Sequence, residues 1–158
     1  MEDQIILMIR KAKITDVKEI QSLLNMFARQ ELLLPRSLSE LYDNLRDFFV
    51  YCDVDDNIIG CSALHICWED LAEVRSLAVY PEHQQKGIGK KLIQTCLDEA
   101  RELGISKVFV LTYQEKFFSD IGFKKIDKSL LPQKIWGDCL KCPKFPNCDE
   151  IAMIFNLE

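Results

Sequence analysis

The stretch "VYPEHQQKGIGKKL" (residues 79–92) joins the end of an apolar strand directly to the start of an amphipathic helix. Its two glycines, Gly87 and Gly89, lack a Cβ and let a charged group approach the backbone closely. The amides of about five successive residues can point inward where such a helix begins, and they bind phosphate without net positive charge. The stretch therefore predicts a loop that binds a phosphate or pyrophosphate.

The spacing of this loop differs from the commonest nucleotide-binding motifs. A P-loop has Gly-x4-Gly-Lys-Ser/Thr and a dinucleotide-binding turn has Gly-x-Gly-x-x-Gly, whereas this chain has Gln84-x-x-Gly87-x-Gly89. The alternative is a helix N-terminus with two incidental glycines. The order of strand, Pro81, loop and helix favours the binding loop.

The composition is that of one globular domain. The 158 residues are 48% hydrophobic, so we expect a single domain over residues 1–158. The formal net charge is −5 and the basic residues are spread out, which argues against nucleic acid or an anionic membrane as partner. The N-terminal acids do not fit a signal peptide, and no apolar run is long enough for a membrane span. We therefore expect a cytoplasmic protein.

Periodicity predicts the remaining elements. A strand at 5–12 precedes a helix, and Ser37 and Glu40 form a capping box for a second helix that carries Phe48. Further strands are expected in "FFVYC", "IIGCSALHIC", "LAEVRSLAV" (71–79), "KVFVL" (107–111) and "EIAMIF" (150–155), with helical turns in "EKFFSDIGF". Hairpins followed by alternating strands and helices predict a mixed α/β fold with helices on both faces of one sheet.

The loop, with "EVRSLAVYPEHQ" before it and Lys90-Lys91-Leu92-Ile93 after it, resembles the signature of the GNAT family of N-acetyltransferases. The resemblance implies a largely antiparallel central sheet that splays between strands 71–79 and 107–111 and holds acetyl-coenzyme A there. The implied coenzyme-binding residues are Leu77, Ala78 and Val79 for the pantetheine arm, and Gln84, Gln85, Lys86, Gly87, Ile88, Gly89 and Lys90 for the phosphates. Lys86, Lys90 and Lys91 are candidates for the 3′-phosphate of the nucleotide, and a solvated lysine on the helix surface is the alternative for each of them.

The resemblance also suggests catalytic residues. Glu73 matches the position at which several family members carry a general base, and the alternative is a structural ion pair with Arg75 on the same strand face. Many members carry a tyrosine acid four residues before a Gly-Phe pair, and here that position is Phe118. Tyr113 is a candidate substitute, with a partly buried aromatic residue as the alternative.

Local phrases such as "LLLPRS" and "DCLKCPKFPNCDEIAM" resemble the acetyltransferase domain of N-acetylglutamate synthases, which catalyse the first step of arginine biosynthesis. This implies a free amino acid, glutamate or glutamine, as acceptor, and Arg36 and Arg75 as carboxylate ligands. The segment "LTYQEKFF" departs from the "LTTR" of those synthases and leaves the acceptor open. Alternatives are an acetyltransferase of protein or peptide N-termini and a non-catalytic acyl-coenzyme A sensor, and by analogy the protein forms a homodimer.

The seven cysteines are an odd number in a chain with no export signal, which favours reduced thiols over disulfides. A loop at 136–149 contains Cys139, Cys142 and Cys148 with the C-x2-C spacing of a zinc knuckle. A fourth ligand is not evident from the sequence. The alternative is a proline-kinked loop whose cysteines pack as small apolar residues.

Overall fold

The structure is a computed structural model, and it describes residues 8–132 and 150–157. The strands are β1 (Ile9–Lys11), β2 (Phe48–Cys52), β3 (Ile58–Trp68), β4 (Leu71–Val79), β5 (Lys107–Thr112), β6 (Lys124–Ile126) and β7 (Ile151–Asn156). The α-helices are α1 (Val17–Ala28), α2 (Leu38–Asp43), α3 (Ile88–Glu102) and α4 (Glu115–Ile121). Within the described residues, no helix has the length and apolar character that crossing a membrane requires.

The seven strands form one sheet in the order β1-β2-β3-β4-β5-β7-β6. β4 and β5 are parallel, with Leu71 opposite Lys107 and Glu73 opposite Phe109. The pairs β1–β2, β2–β3, β5–β7 and β6–β7 are antiparallel. The predicted mixed, largely antiparallel sheet is therefore confirmed.

The chain divides into two compact units, and the first contains the chain up to His65 together with Val74–Glu99. In this unit α1 and α2 pack on β2 and β3 through a buried cluster that includes Leu23, Leu41 and Cys61. Ser62 points to the opposite face of β3 because side chains alternate along a strand, and there its hydroxyl lies 3.6 Å from Cys96 Sγ of α3. Helices therefore cover both faces of the sheet in this unit.

The second unit contains Ile66–Glu73 and the chain from Ala100 onward. Its sheet is the antiparallel arrangement of β5, β7 and β6, in which Phe109 pairs with Ile154 and Lys124 also pairs with Ile154. Phe109 and Leu131 are buried on one face of it, in a cluster with Leu71 and Ala152. Burial on this face holds the ends of β4 and β5 in register.

Two predicted boundaries differ from the structure. The first strand covers only Ile9–Lys11 of the predicted 5–12, of which residues 5–7 lie outside the described residues. The second helix ends at Asp43 and does not carry Phe48, which begins β2. The reason is Asn44, whose backbone leaves the helical region at φ −110° and ψ 19°, and whose side-chain amide donates to the Glu40 carbonyl at 2.8 Å.

Candidate active site

The loop after β4 is anchored to the strand that precedes it. The Gln84 side-chain amide donates to the Val79 carbonyl at 2.9 Å, and the Tyr80 amide donates to the Ile59 carbonyl at 3.0 Å. A short 3-10 turn, Pro81–His83, starts with proline, whose fixed φ suits the first position of such a turn. The Gln84 side chain, predicted as a coenzyme ligand, thus fixes the start of the loop to the end of β4.

The backbone of the loop then turns twice through the left-handed region. Gln85 has φ 64° and Gly87 has φ 82°, after which α3 begins at Ile88. The Lys91 amide donates to the Gly87 carbonyl at 3.1 Å and closes the first turn. The preceding amides of Ile88, Gly89 and Lys90 belong to the turn that has no intrahelical acceptors, and the helix dipole places partial positive charge there. This geometry suits an anion.

The central strand contains an unusual residue next to that loop. Ser76, in the middle of β4, has φ 58°, which an L-residue rarely adopts and which interrupts a regular strand as a bulge does. The buried Cys61 thiol donates to the Ser76 carbonyl at 3.4 Å. Strained residues of this kind cluster at functional sites, and this one directly precedes Leu77 and Ala78, which were predicted to bind the pantetheine arm.

The side chains of β4 alternate as the sequence predicted. Glu73, Arg75 and Leu77 are half-buried, whereas Val74 and Ser76 between them are buried. Glu73 and Arg75 therefore share one face of the strand, as an ion pair between them requires. The roles of Glu73 and Arg75 remain predictions.

Phe118, at the position of the family's tyrosine acid, and Tyr113, the candidate substitute, differ in their surroundings. Phe118 of α4 is only 2% exposed and makes edge-on ring contacts with Phe117 at 5.0 Å and Phe123 at 5.2 Å between centroids. Phe123 continues this aromatic chain to Phe155 of β7 at 5.4 Å. Tyr113 lies just after β5 and is 37% exposed, so solvent reaches it. Phe118 is a core residue, and of this pair only Tyr113 has a proton to donate.

Arg36, predicted as a carboxylate ligand with a solvated loop arginine as the alternative, has a side chain that is only 9% exposed. Its Nη1 donates to Glu40 Oε2 at 3.3 Å, and its carbonyl accepts a bond from the Gln21 side-chain amide at 3.3 Å. Glu40 also completes the predicted capping box with Ser37. Burial opposes ionisation of Glu40, but the bonds from the Ser37 amide and from Arg36 outweigh it and hold the pKa of Glu40 below its usual value.

The second unit contains a cavity of about 350 Å³ on the sheet face that carries Leu71. Lys107 and Asn156 line it beside Leu71, and Lys107 Nζ lies 3.9 Å from Asp70 Oδ2. None of the residues predicted from the sequence to form the site lines this cavity.

Comparisons with known proteins place this geometry in a family. The family model described as Acetyltransferase (GNAT) family matches residues 14–123, which include β4, the loop and α4. The chain belongs to this acetyltransferase family. An uncharacterized N-acetyltransferase of Chlorobaculum tepidum is 42% identical over 94% of this chain and 96% of its own.

Two further proteins resemble this GNAT member. The amino-acid acetyltransferase of Mycobacterium tuberculosis is 34% identical over 82% of this chain and 75% of its own. The N-acetylglutamate synthase of Neisseria gonorrhoeae, solved with coenzyme A and N-acetyl-glutamate, superposes with a TM-score of 0.85 at 29% identity. That match covers 95% of this chain but 35% of the synthase, so this chain spans about a third of that protein's length.

The seven cysteines of this GNAT chain comprise three outside the described residues and four, Cys52, Cys61, Cys67 and Cys96, that are buried. Cys139, Cys142 and Cys148 lie outside the described residues, so the zinc site remains a prediction. Among residues 8–132 and 150–157, no cluster of three His, Cys, Asp or Glu side chains is arranged to hold a metal. Cys61 and Cys96 are buried and free, and burial raises the pKa of each thiol to about 12. Both therefore stay protonated and unreactive.

Two features of the site were not found from the sequence. The Arg36–Glu40 pair has the spacing of neighbours on one side of a helix, so its i,i+4 separation was a usable signal. The positive φ of Ser76 had no sequence signal, because serine is not enriched in that region and the surrounding strands impose it.

Proposed function

We propose that this protein transfers the acetyl group of acetyl-coenzyme A to the α-amine of a free amino acid, with glutamate or glutamine as the acceptor. The observation that carries the proposal is the loop at 84–90, which turns twice through the left-handed region and presents first-turn amides of α3. That arrangement binds a pyrophosphate. The similarity to an amino-acid acetyltransferase and to an N-acetylglutamate synthase supports the choice of acceptor, and hence a role in the first step of arginine biosynthesis.

Most of the coenzyme contacts in this proposal are made by backbone groups. The amides from Gln85 to Lys90 bind the pyrophosphate, and the exposed Lys86 and Lys90 lie beside them for the 3′-phosphate. Leu77, Ala78 and Val79 offer backbone groups to the pantetheine arm. The Val79 carbonyl accepts one bond from the Gln84 side-chain amide and has a second lone pair for the pantetheine arm.

The chemistry needs a neutral amine, a polarised carbonyl and a protonated leaving group. Glu73 removes a proton from the acceptor ammonium through a water molecule, and the amine then forms a C–N bond to the thioester carbon. The amide of Val79 or its neighbour stabilises the oxyanion before the C–S bond breaks. Tyr113 supplies the proton to the leaving thiolate, because the phenyl ring of Phe118 has none to give. The proton that the acceptor nitrogen loses as the amide forms returns Tyr113 to its neutral state through solvent.

Thiol release from acetyl-coenzyme A, measured against a panel of free amino acids with a tetrapeptide for comparison, tests the proposal. Turnover with glutamate or glutamine and none with the tetrapeptide is expected. Glu73→Gln should lower kcat by about 100-fold, the usual contribution of a general base. Turnover of the tetrapeptide alone would favour acetylation of peptide N-termini, and coenzyme binding without turnover would favour a sensor.

A further inference from the structure

Ser76 is a buried serine whose hydroxyl has no hydrogen-bond partner among the described residues. Four buried residues of the described chain have polar side chains, and the other three, Asp16, Ser62 and Thr112, each make a side-chain hydrogen bond of 2.7 to 3.6 Å. A buried polar group without a partner is costly, so native proteins rarely keep one without a reason. The hydroxyl of Ser76 therefore indicates a ligand that supplies the missing bond.

The Ser76 oxygen borders a space that solvent can enter. Within the described part of the chain, every side-chain nitrogen or oxygen that is sealed from solvent has a hydrogen-bond partner. The Ser76 hydroxyl has none, so its oxygen is not sealed, even though the residue as a whole is only 8% exposed. The Ser76 carbonyl contacts the core, where it accepts a bond from the Cys61 thiol at 3.4 Å. A molecule in that space can therefore accept a bond from the hydroxyl.

The backbone of Ser76 belongs to the same feature. At φ 58° it departs from the negative φ of a regular strand, and an irregularity of this kind turns a side chain away from the alternating pattern. Serine has no preference for this conformation, so the neighbouring structure holds the residue there. Strained backbone of this kind is found most often at binding and active sites.

Ser76 also lies at the correct end of the proposed coenzyme site. The argument at this point rests on the proposed function, in which the loop binds the pyrophosphate and Leu77, Ala78 and Val79 bind the pantetheine arm. These three residues span about 10 Å along a strand. The extended arm from the pyrophosphate to the sulfur has about a dozen bonds and spans about 15 Å. An arm that follows β4 away from the loop therefore passes these residues and brings its thioester close to Ser76.

Acetyl transfer from a thioester creates negative charge on the carbonyl oxygen, and a fixed donor at that oxygen lowers the barrier. We propose that Ser76 is a catalytic residue whose Oγ donates a hydrogen bond to the thioester carbonyl oxygen, together with a backbone amide of β4. The bond strengthens as the amine forms the C–N bond, and it weakens when the C–S bond breaks and the carbonyl is restored. Ser76 keeps its proton throughout, so it adds no step to the proton transfers.

The first test measures kcat and coenzyme affinity in Ser76→Ala. In the full chain kcat should fall about 100-fold, the usual contribution of one oxyanion donor, while the affinity for coenzyme A by calorimetric titration should not change. Ser76→Cys should recover part of the loss, because a thiol is a weak donor. Ser76→Gly removes the same hydroxyl and adopts φ 58° without strain, so it should lose as much kcat as Ser76→Ala and still fold.

Ser62→Ala is the matched control, because Ser62 is a buried serine of β3 in the same unit and its hydroxyl lies against Cys96 Sγ. It should leave kcat unchanged. A wild-type kcat in Ser76→Ala and Ser76→Gly overturns the inference. A loss of coenzyme affinity at unchanged kcat also overturns it, since the hydroxyl would then stabilise the bound ground state and the transition state equally.

Isotope-edited infrared spectroscopy of bound acetyl-coenzyme A, labelled with carbon-13 at the carbonyl, separates this inference from the function on which it rests. The carbonyl stretch should lie at lower frequency in the wild-type chain and in Ser62→Ala than in Ser76→Ala. If this difference is seen but no amino acid is turned over, the proposed acceptor fails and the hydrogen bond stands. If amino acids are turned over and the stretch is the same in Ser76→Ala, only the inference fails. Absence of acetyl-coenzyme A binding overturns both.

Discussion

Gly87 and Gly122 both adopt positive φ, at 82° and 124°, yet they serve different ends. A Cβ at Gly87 would have no described heavy atom within 4 Å, so this glycine leaves open space above the loop. A Cβ at Gly122 would lie 2.8 Å from a ring carbon of Phe155. A side chain at Gly87 would meet open space, whereas one at Gly122 would collide with an aromatic ring.

The contrast extends to the segments around the two glycines. The coenzyme contacts proposed for the loop at Gly87 use backbone amides, which any sequence can present if its φ angles allow. The segment at Gly122 follows α4, whose Phe118 stands where the resemblance places a catalytic tyrosine and packs in the core instead. Coenzyme binding, which depends on the backbone, is therefore expected to be kept, while proton transfer, which depends on side chains, is expected to differ.

The largest effect is expected from Gly122→Ala. The left-handed backbone and the contact with Phe155 together should cost about 3 kcal/mol in the free energy of unfolding, as measured by urea denaturation. Gly104→Ala is the control, since Gly104 has φ 82° and no described heavy atom near its Cβ position, and it should cost about 1 kcal/mol. Equal losses of unfolding free energy in Gly122→Ala and Gly104→Ala would mean that the ring of Phe155 moves aside at no energetic cost.

Gly87→Ala should cost about 1 kcal/mol in stability, like Gly104→Ala, because the two glycines share φ 82° and open surroundings. Unlike Gly104→Ala, it should also weaken coenzyme A binding by about tenfold, since the loop amides can no longer reach their positions without strain. Calorimetric titration of both variants measures this. An equal affinity in Gly87→Ala and Gly104→Ala would contradict a binding role for the loop.

The ion pair between Arg10 and Asp16 allows an electrostatic contribution to stability to be compared with these backbone effects. Arg10 binds Asp16 with bonds of 2.7 and 3.1 Å. Although burial alone would raise the pKa of Asp16, the bonds from Arg10 and the Lys13 amide lower it below its usual 3.8. A depressed pKa contributes stability that is present above pH 3.8 and is lost as the pH falls through the folded-state pKa.

Asp16→Asn should therefore cost about 1 kcal/mol at pH 7 and much less at pH 3, as followed by urea denaturation at each pH. Asp56→Asn removes a 66% exposed carboxylate from the same guanidinium and should cost less than about 0.5 kcal/mol. Coenzyme affinity should not change in either variant. A loss that is the same at both pH values would show that the role of Asp16 is not electrostatic.

The smallest effect concerns two buried thiols, one of which contacts the backbone of β4 at Ser76. Cys61 and Cys96 have no measurable exposure, and burial raises the pKa of each to about 12. Iodoacetamide at neutral pH, with the labelled positions read by mass spectrometry, should modify them only as fast as the protein unfolds. Labelling at the rate of a free thiol would show that α3 separates from the sheet in the native state.

Much of the fold could be predicted from the sequence, because the elements with strong local signals have the expected bounds. The strand 71–79 and the capping box at Ser37 agree residue for residue. Prediction failed at two backbone positions. Asn44 ends α2 early through its own bond to the Glu40 carbonyl, a local cause that apolar periodicity does not reveal. Ser76 adopts a left-handed conformation inside a strand with no local signal for it.

The residues of the candidate site also divide into those with a local sequence signal and those without one. Glycine spacing and strand order revealed the loop, since both are read directly from the sequence. The pairing of Arg36 with Glu40 had a usable i,i+4 signal, whereas the low exposure of the Arg36 side chain had none. Side-chain roles therefore need the structure more than backbone roles do.

The central claim is that backbone amides of the loop bind the pyrophosphate of coenzyme A. Calorimetric titration of the full chain with coenzyme A and with pantetheine, which lacks the phosphates, tests it most directly, with Gly87→Ala in parallel. Coenzyme A should bind the wild-type chain much more tightly than pantetheine, and Gly87→Ala should remove most of that difference. Equal affinities for the two ligands, or a difference that survives in Gly87→Ala, would contradict it.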